Sequence, residues 1–249
     1  MWSGVERPDD RDQFVLGPYL DGRYFGNAVW EPEHDPALMV TGWAGSGKSW
    51  FVRRLADQAE DAGWGVTVIA TSHPVEVADW QDAIRGRRAV LATTPNDAHW
   101  ALDALVIEME LRLAAMAEAG VTRICELPGE RPRPYLLVVD SEGWLGDVPG
   151  APHDVEGQRR VAEFAREGGA AGIYVVVAAQ RSLGSGLGSA AGANLRFGPG
   201  SQHDVQVSFR DPSRAPDYPA GAGRSGAAVF ECAAHGPRLV LNNPAGWRN

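Results

Sequence analysis

The chain has 249 residues, 44% of them hydrophobic, and a formal net charge of −9 at pH 7. That length suits one large α/β domain with a substantial core, and the charge argues against a protein that coats nucleic acid with a basic surface. No apolar run approaches the roughly 18 residues of a membrane span, and the polar, acidic start lacks the pattern of a signal peptide, so a cytoplasmic protein is expected.

Two cysteines, Cys125 and Cys232, have no metal-ligand spacing and read as reduced, partly buried thiols. The six histidines are scattered, and His73, His99 and His203 read as loop and helix-end residues. The basic residues are arginines with one exception, Lys48.

Residues 1–13 are polar and read as a loose N-terminus ahead of a single domain, 14–249. Residues 14–30 alternate around Asp21-Gly22 and predict a small β-ribbon. Residues 37–41 form a short apolar strand after Pro36, followed by a glycine-rich loop and a helix over 48–62. Phe51, Val52, Leu55 and Ala59 share one face of that helix, and Gly63 ends it. A buried strand at 65–71, a short helix at 75–84 and a short strand at 89–92 come next. A long helix is expected from Asn96, taken as its cap, to Ala119. A strand over 135–139 ends in Asp140; a helix over 155–167 and a buried strand over 172–178 follow. Beyond a Gly/Ser-rich stretch at 182–192, short strands are expected near 205–209, 227–231 and 239–241. Alternating strands and helices imply a mainly parallel sheet with helices on both faces.

Residues 42–49, Gly42, Trp43, Ala44, Gly45, Ser46, Gly47, Lys48 and Ser49, match the phosphate-binding loop G-x-x-x-x-G-K-[ST]. The match lies between an apolar strand and a helix, the context that supports it. Glycines let backbone N–H groups converge on an anion, and the helix N-terminus adds its positive dipole end. Lys48 is expected to reach the β- and γ-phosphates of ATP, Ser49 to hold Mg²⁺, and Trp50 to flank the nucleotide. An ammonium fits between two phosphates where a guanidinium would clash, so lysine is required at this one position.

Asp140, at the end of an apolar strand downstream of the loop, suits the Mg²⁺-water ligand of such ATP hydrolases. A carboxylate must orient the attacking water; Ser141 and Glu142 compete for that place, and only Glu142 is a carboxylate. Gln180 closes the strand Gly172 to Ala179, at the sheet edge where open α/β sheets bind ligands, and could report loss of the γ-phosphate.

Together these residues resemble the motor domain of FtsK/SpoIIIE-type DNA translocases and the related conjugative and secretion ATPases, from about Leu16 to Val240. Leu16-Gly17…Leu20-Asp21-Gly22 and the segment from Pro36 to Gly42 are similar to the family's entry segment. The string Glu108-Met-Glu110…Arg112…Met116 to Val121 looks like its helix before the aspartate strand, and Phe164-Ala-Arg166…Ala170 to Arg181 like its sensor strand. The segments 201–204 and 223–230 resemble its closing segments. The resemblance implies a RecA-like fold, a hexameric ring around double-stranded DNA, and DNA-stimulated ATP hydrolysis that drives translocation. It places Lys48 and Ser49 on phosphate and Mg²⁺, Asp140 on the metal and Gln180 as sensor. Such a ring can grip DNA through a few arginines lining a channel, and Arg159 and Arg160, in the helix after the aspartate strand, are candidate phosphate contacts.

The chain departs from the family in two residues. The family has glutamate directly after the aspartate, where this chain has Ser141. It also has an arginine at the position of Gly169, which reaches the neighbouring subunit's nucleotide; Arg166 or Arg181 would have to replace it. Without a membrane segment or accessory halves, a free-standing motor of a plasmid, integrative element or phage is expected. The alternative is an ATP-binding, low-turnover module that recruits partners in a DNA-transfer or secretion machine.

Overall fold

A computed structural model of the protein describes residues 13–21, 24–42, 45–71, 74–84, 89–141, 154–179, 205–209, 227–232 and 236–241. The strands are β1 (Phe14–Asp21), β2 (Tyr24–Trp30), β3 (Ala37–Gly42), β4 (Gly65–Ile69), β5 (Val90–Ala92), β6 (Tyr135–Asp140), β7 (Ile173–Ala179), β8 (Val205–Phe209), β9 (Ala227–Cys232) and β10 (Gly236–Leu241). The α-helices are α1 (Lys48–Asp61), α2 (Pro74–Ala83), α3 (Pro95–Ala119) and α4 (Val155–Glu163). All the strands join one ten-stranded sheet, ordered β2-β1-β10-β9-β8-β3-β7-β6-β4-β5.

The segment from β8 to β5 in that order is parallel, as the strand–helix alternation predicts. The other half is antiparallel, and the N-terminal ribbon is its outer edge: β1 pairs with β2 on one side and with β10 on the other. The register of β1 shifts between Val15 and Gly17. There the Gln58 side chain of α1 accepts from Val15 N at 2.8 Å and donates to Val15 O at 3.1 Å, so the interrupted ladder loses no backbone bond at Val15.

Alternation along the central strands divides the core. Leu136, Val138, Tyr174, Val176 and Ala178 face one cluster with α1, Trp64, Trp80 and the ribbon. Leu137, Val139, Ile173, Val175 and Val177 face the other, with α3 and α4. A chain of rings, Trp30–Phe14 (5.3 Å), Phe14–Trp64 (4.9 Å) and Trp64–Tyr174 (5.1 Å), packs the ribbon onto the sheet face.

Helix boundaries show where local chemistry differs from expectation. The cap of α3 is Thr94, two residues before Asn96, because Pro95 takes the first helical position and Thr94 and Asp97 form a capping box. The helix expected over 155–167 is α-helical only to Glu163; Phe164–Gly168 is a π-helical turn. The glycines that follow fit where no side chain would: a Cβ would lie 2.6 Å from Ile173 O at Gly168 and 2.6 Å from Pro36 Cβ at Gly169. Cys125, expected to be partly buried, is exposed.

Arg112 explains part of the string Glu108…Val121. Its side chain is 6% exposed and extends from α3 to donate to Glu108 Oε1 (2.7 Å), Ala171 O (2.9 Å) and Arg133 O (2.7 Å), with its guanidinium 5.0 Å from the Tyr135 ring centroid. It thereby fixes the segments that lead into β6 and β7. Arg112→Met, which leaves two carbonyls without their donor, is expected to cost about 3 kcal/mol or more, as for a broken buried charged pair. Arg112→Lys should recover less than half, since an ammonium lacks the planar fork; urea denaturation midpoints check both.

Candidate nucleotide site

The parallel register decides what meets at the C-terminal edge of the sheet. Val40 of β3 lies beside Ala178 of β7, and Ala178 beside Asp140 of β6. The loop after β3 and the carboxylate ending β6 therefore project from the same edge, one strand apart.

Within the loop, Gly45 and Gly47 have φ of 73° and 103°, which glycine adopts without strain. Gly47 is the N-cap of α1 and has no side-chain cap, and the first turn carries no acidic residue. The helix N-terminus thus keeps its donors and its positive end for an external anion. At Gly42 a Cβ would lie 2.6 Å from Phe209 Cβ and 2.7 Å from Ser46 Oγ, so β8 and the loop close on a residue without a side chain. Phe209 supports the loop from below, its ring 5.7 Å from that of Phe51.

Lys48 begins α1 and is buried. Ser49 Oγ lies 3.4 Å from Asp140 Oδ1, a long contact that puts hydroxyl and carboxylate side by side. Asp140 is buried, and its other oxygen accepts from Trp80 Nε1 at 2.9 Å. Ser46 Oγ is buried with no hydrogen-bond partner. An uncapped helix start, an orphaned hydroxyl in the loop, a buried amine and a paired hydroxyl–carboxylate fit a nucleotide phosphate chain with Mg²⁺.

Ser141, which follows Asp140 directly, is buried and its Oγ lies 2.7 Å from Thr71 Oγ1, just past the end of β4. Trp50 is half-buried on α1 with the Arg54 guanidinium 5.1 Å from its ring centroid. Burial lowers the Arg54 pKa, partly offset by Asp57. Trp43, Ala44, Glu142, Gln180 and Arg181 lie outside the described residues, as do His73, His203 and the 182–192 stretch.

The basic candidates are held by carboxylates. Arg159 pairs with Glu156 (2.8 Å) and Glu163 (3.2 Å) on α4. Arg160 bonds Glu156 (2.8 Å) and Asp103 of α3, tying the two helices together. Hydrogen bonds from Arg159 and Arg160 hold the Glu156 carboxyl down at about 2. Arg166 lies in the π-turn, half exposed, with its guanidinium on Glu167 at 2.6 Å. His99 of α3 meets Asp154, the N-cap of α4, at 2.8 Å.

Three features of the site went unread in the sequence: Trp80 on Asp140, Thr71 on Ser141, and Phe209 under the loop. Trp80 sits in a helix whose apolar pattern is short, and nothing in its spacing points to a carboxylate 60 residues away. The Thr71 hydroxyl at the end of a strand was the one available signal.

Sheet order, helix placement and the glycine-rich loop define a RecA-like α/β fold with a P-loop. The pCW3 conjugation coupling protein TcpA, in its monomer form with ATPγS, superposes with a TM-score of 0.74 at 19% identity, covering 98% of this chain and 70% of that one. EssC (ATPases 2 and 3) from Geobacillus thermodenitrificans gives 0.68 at 15% identity, covering 92% of this chain and 44% of that one. In sequence, the chain is 33% identical over 163 residues to a sporulation regulatory protein of Streptomyces azureus, matching 63% of this chain and 51% of that protein. The chain thus spans about half the length of the curated relative it matches. No family model matches it. Among the described residues, no helix is long and apolar enough to cross a membrane.

Lys48→Ala is expected to abolish ATP binding, with the far-UV spectrum and melting temperature kept. Fluorescence titration with a labelled ATP analogue checks it; parent-like affinity would remove the loop as the nucleotide site.

Proposed function

We propose that the chain is an ATP hydrolase of the FtsK/SpoIIIE type that moves double-stranded DNA, working as a hexameric ring of a DNA-transfer system. The observation that carries the ATPase part is that Ser49, which follows the buried Lys48 at the start of α1, lies 3.4 Å from the Asp140 carboxylate at one sheet edge. The DNA part is supported by the similarity in fold to a conjugation coupling protein along nearly the whole chain, and by the sequence motifs.

In this reading the N–H groups of the loop and the Lys48 ammonium bind the β- and γ-phosphates. Ser49 and Asp140 would hold Mg²⁺, which neutralises charge on the phosphate oxygens when bound. The Asp140 carboxylate accepts from the Trp80 indole N–H and faces the Ser49 hydroxyl. Orientation of the attacking water falls to Glu142, with Gln180 as γ-phosphate sensor, and Arg166 supplies the guanidinium to the neighbouring subunit.

A second reading, an ATP-binding module of low turnover in a transfer or secretion machine, is favoured by two observations. The place of the glutamate holds a buried hydroxyl bonded to Thr71, which cannot take a proton near neutral pH. Gly169 has no room for the family's arginine against Pro36.

Steady-state ATP hydrolysis with and without duplex DNA separates the two. The motor reading expects stimulation by DNA and ATP-dependent oligomers in sedimentation. Negligible turnover with tight ATP binding would select the module. Gly169→Arg is expected to lower the melting temperature by several degrees without raising turnover, because its Cβ meets Pro36; Arg166→Ala should lower DNA-stimulated turnover, by up to about a thousandfold if it is the trans arginine, while ATP affinity holds. A Gly169→Arg protein that was both stable and faster would overturn the steric assignment.

A further inference from the structure

Asp140 lies between two donors of different kinds, and only one belongs to the phosphate loop. The other is the indole N–H of Trp80, a side chain 1% exposed, 2.9 Å from Asp140 Oδ2. Indole is a donor with no lone pair to offer and no charge. It can therefore fix one carboxylate oxygen without competing for a cation and without repelling one. The oxygen left over, Oδ1, is the one that faces Ser49 Oγ.

The same helix reaches the second partner as well. Asp79, next to Trp80 on α2, holds Arg53 of α1 at 3.2 Å, and Arg53 Nε donates to Ser49 O at 3.2 Å. Adjacent residues of α2 thus brace both Asp140 and the backbone of Ser49. These two ties converge on the pair that the nucleotide site needs.

We infer that Trp80 is a positioning residue for the metal site, fixing the Asp140 carboxylate so that one oxygen is turned to Ser49 and the Mg²⁺ of the bound nucleotide. The inference rests on the nucleotide reading of the loop. Outer partners of this kind typically change metal affinity by about 10- to 100-fold when lost. A tryptophan buried only to fill volume would contribute to stability and leave the metal dependence alone.

The test is Trp80→Phe, which keeps a buried ring and removes the N–H. Affinity for a fluorescent ATP analogue is measured in EDTA and across a Mg²⁺ titration, beside the melting temperature. The expected result is unchanged binding in EDTA and a half-saturating Mg²⁺ concentration raised about tenfold or more. An unchanged Mg²⁺ half-saturation in a folded Trp80→Phe protein overturns the inference while the nucleotide site stands. Absence of Mg²⁺-dependent ATP binding in the wild type overturns both. If Trp80→Phe does not fold, ¹⁵N-tryptophan spectra decide: the indole N–H displaced by Asp140→Asn must also move when Mg²⁺ is added to the ATP-bound wild type. No resonance showing both displacements overturns the inference.

Discussion

The site depends on the register between β3, β7 and β6. With Val40, Ala178 and Asp140 in one row, the strand leading into the loop and the strand ending in the carboxylate terminate at the same height. A slip of one residue along β6 would turn Asp140 to the opposite face of the sheet and bring Val139 toward Trp80. Both faces of these strands are buried, so each alternate residue is committed to one of two apolar clusters. A slip would exchange the two sets against helices shaped for the other. Core packing and site geometry are therefore the same constraint seen at two ends of a strand.

Burial makes that edge demanding. Asp140, Ser141, Thr41 and Lys48 are polar groups with less than a tenth of their surface exposed. Such groups need partners, or they cost stability. The fold supplies Trp80 for Asp140 and Thr71 for Ser141. On the opposite side of the molecule Arg112 does the corresponding work for the carbonyls before β6 and β7. Strand ends on both sides are thus held by one long polar side chain or ring N–H reaching across from a helix, leaving the strands to pack.

The sequence made the parallel half of the sheet readable because its strands are short apolar runs between helices with clear stops. The glycine-rich loop was readable because its chemistry needs a fixed order of residues. What escaped reading depends on contacts far apart in the chain. Asn96 looked a good cap, but Pro95 and the Thr94–Asp97 pair set the start of α3 two residues earlier. The π-turn after Glu163 has no periodic signature, and it ends at Gly168, where, as at Gly169, there is no room for a side chain against Ile173 and Pro36. The ribbon was visible as a hairpin, but its place at the edge of the main sheet depends on β10, more than two hundred residues later. Of the basic candidates, sequence could not show that Arg160 is engaged by carboxylates on two helices.

The two positions at which the sequence departs from the FtsK/SpoIIIE-like pattern it resembles are connected to the structure in different ways. Ser141 is a difference of chemistry: its buried hydroxyl follows Asp140 at the sheet edge and is held by Thr71. Gly169 is a change of geometry, since Pro36 occupies the space that any Cβ there would need, and Pro36 leads directly into β3. A side chain at 169 would push on the strand that carries the phosphate loop. An arginine at 169 therefore requires moving Pro36, whereas a carboxylate at 141 would take away the partner of Thr71 and bury a second charge beside Asp140. The π-turn that precedes Gly169 leaves Arg166 half exposed, with its guanidinium on Glu167.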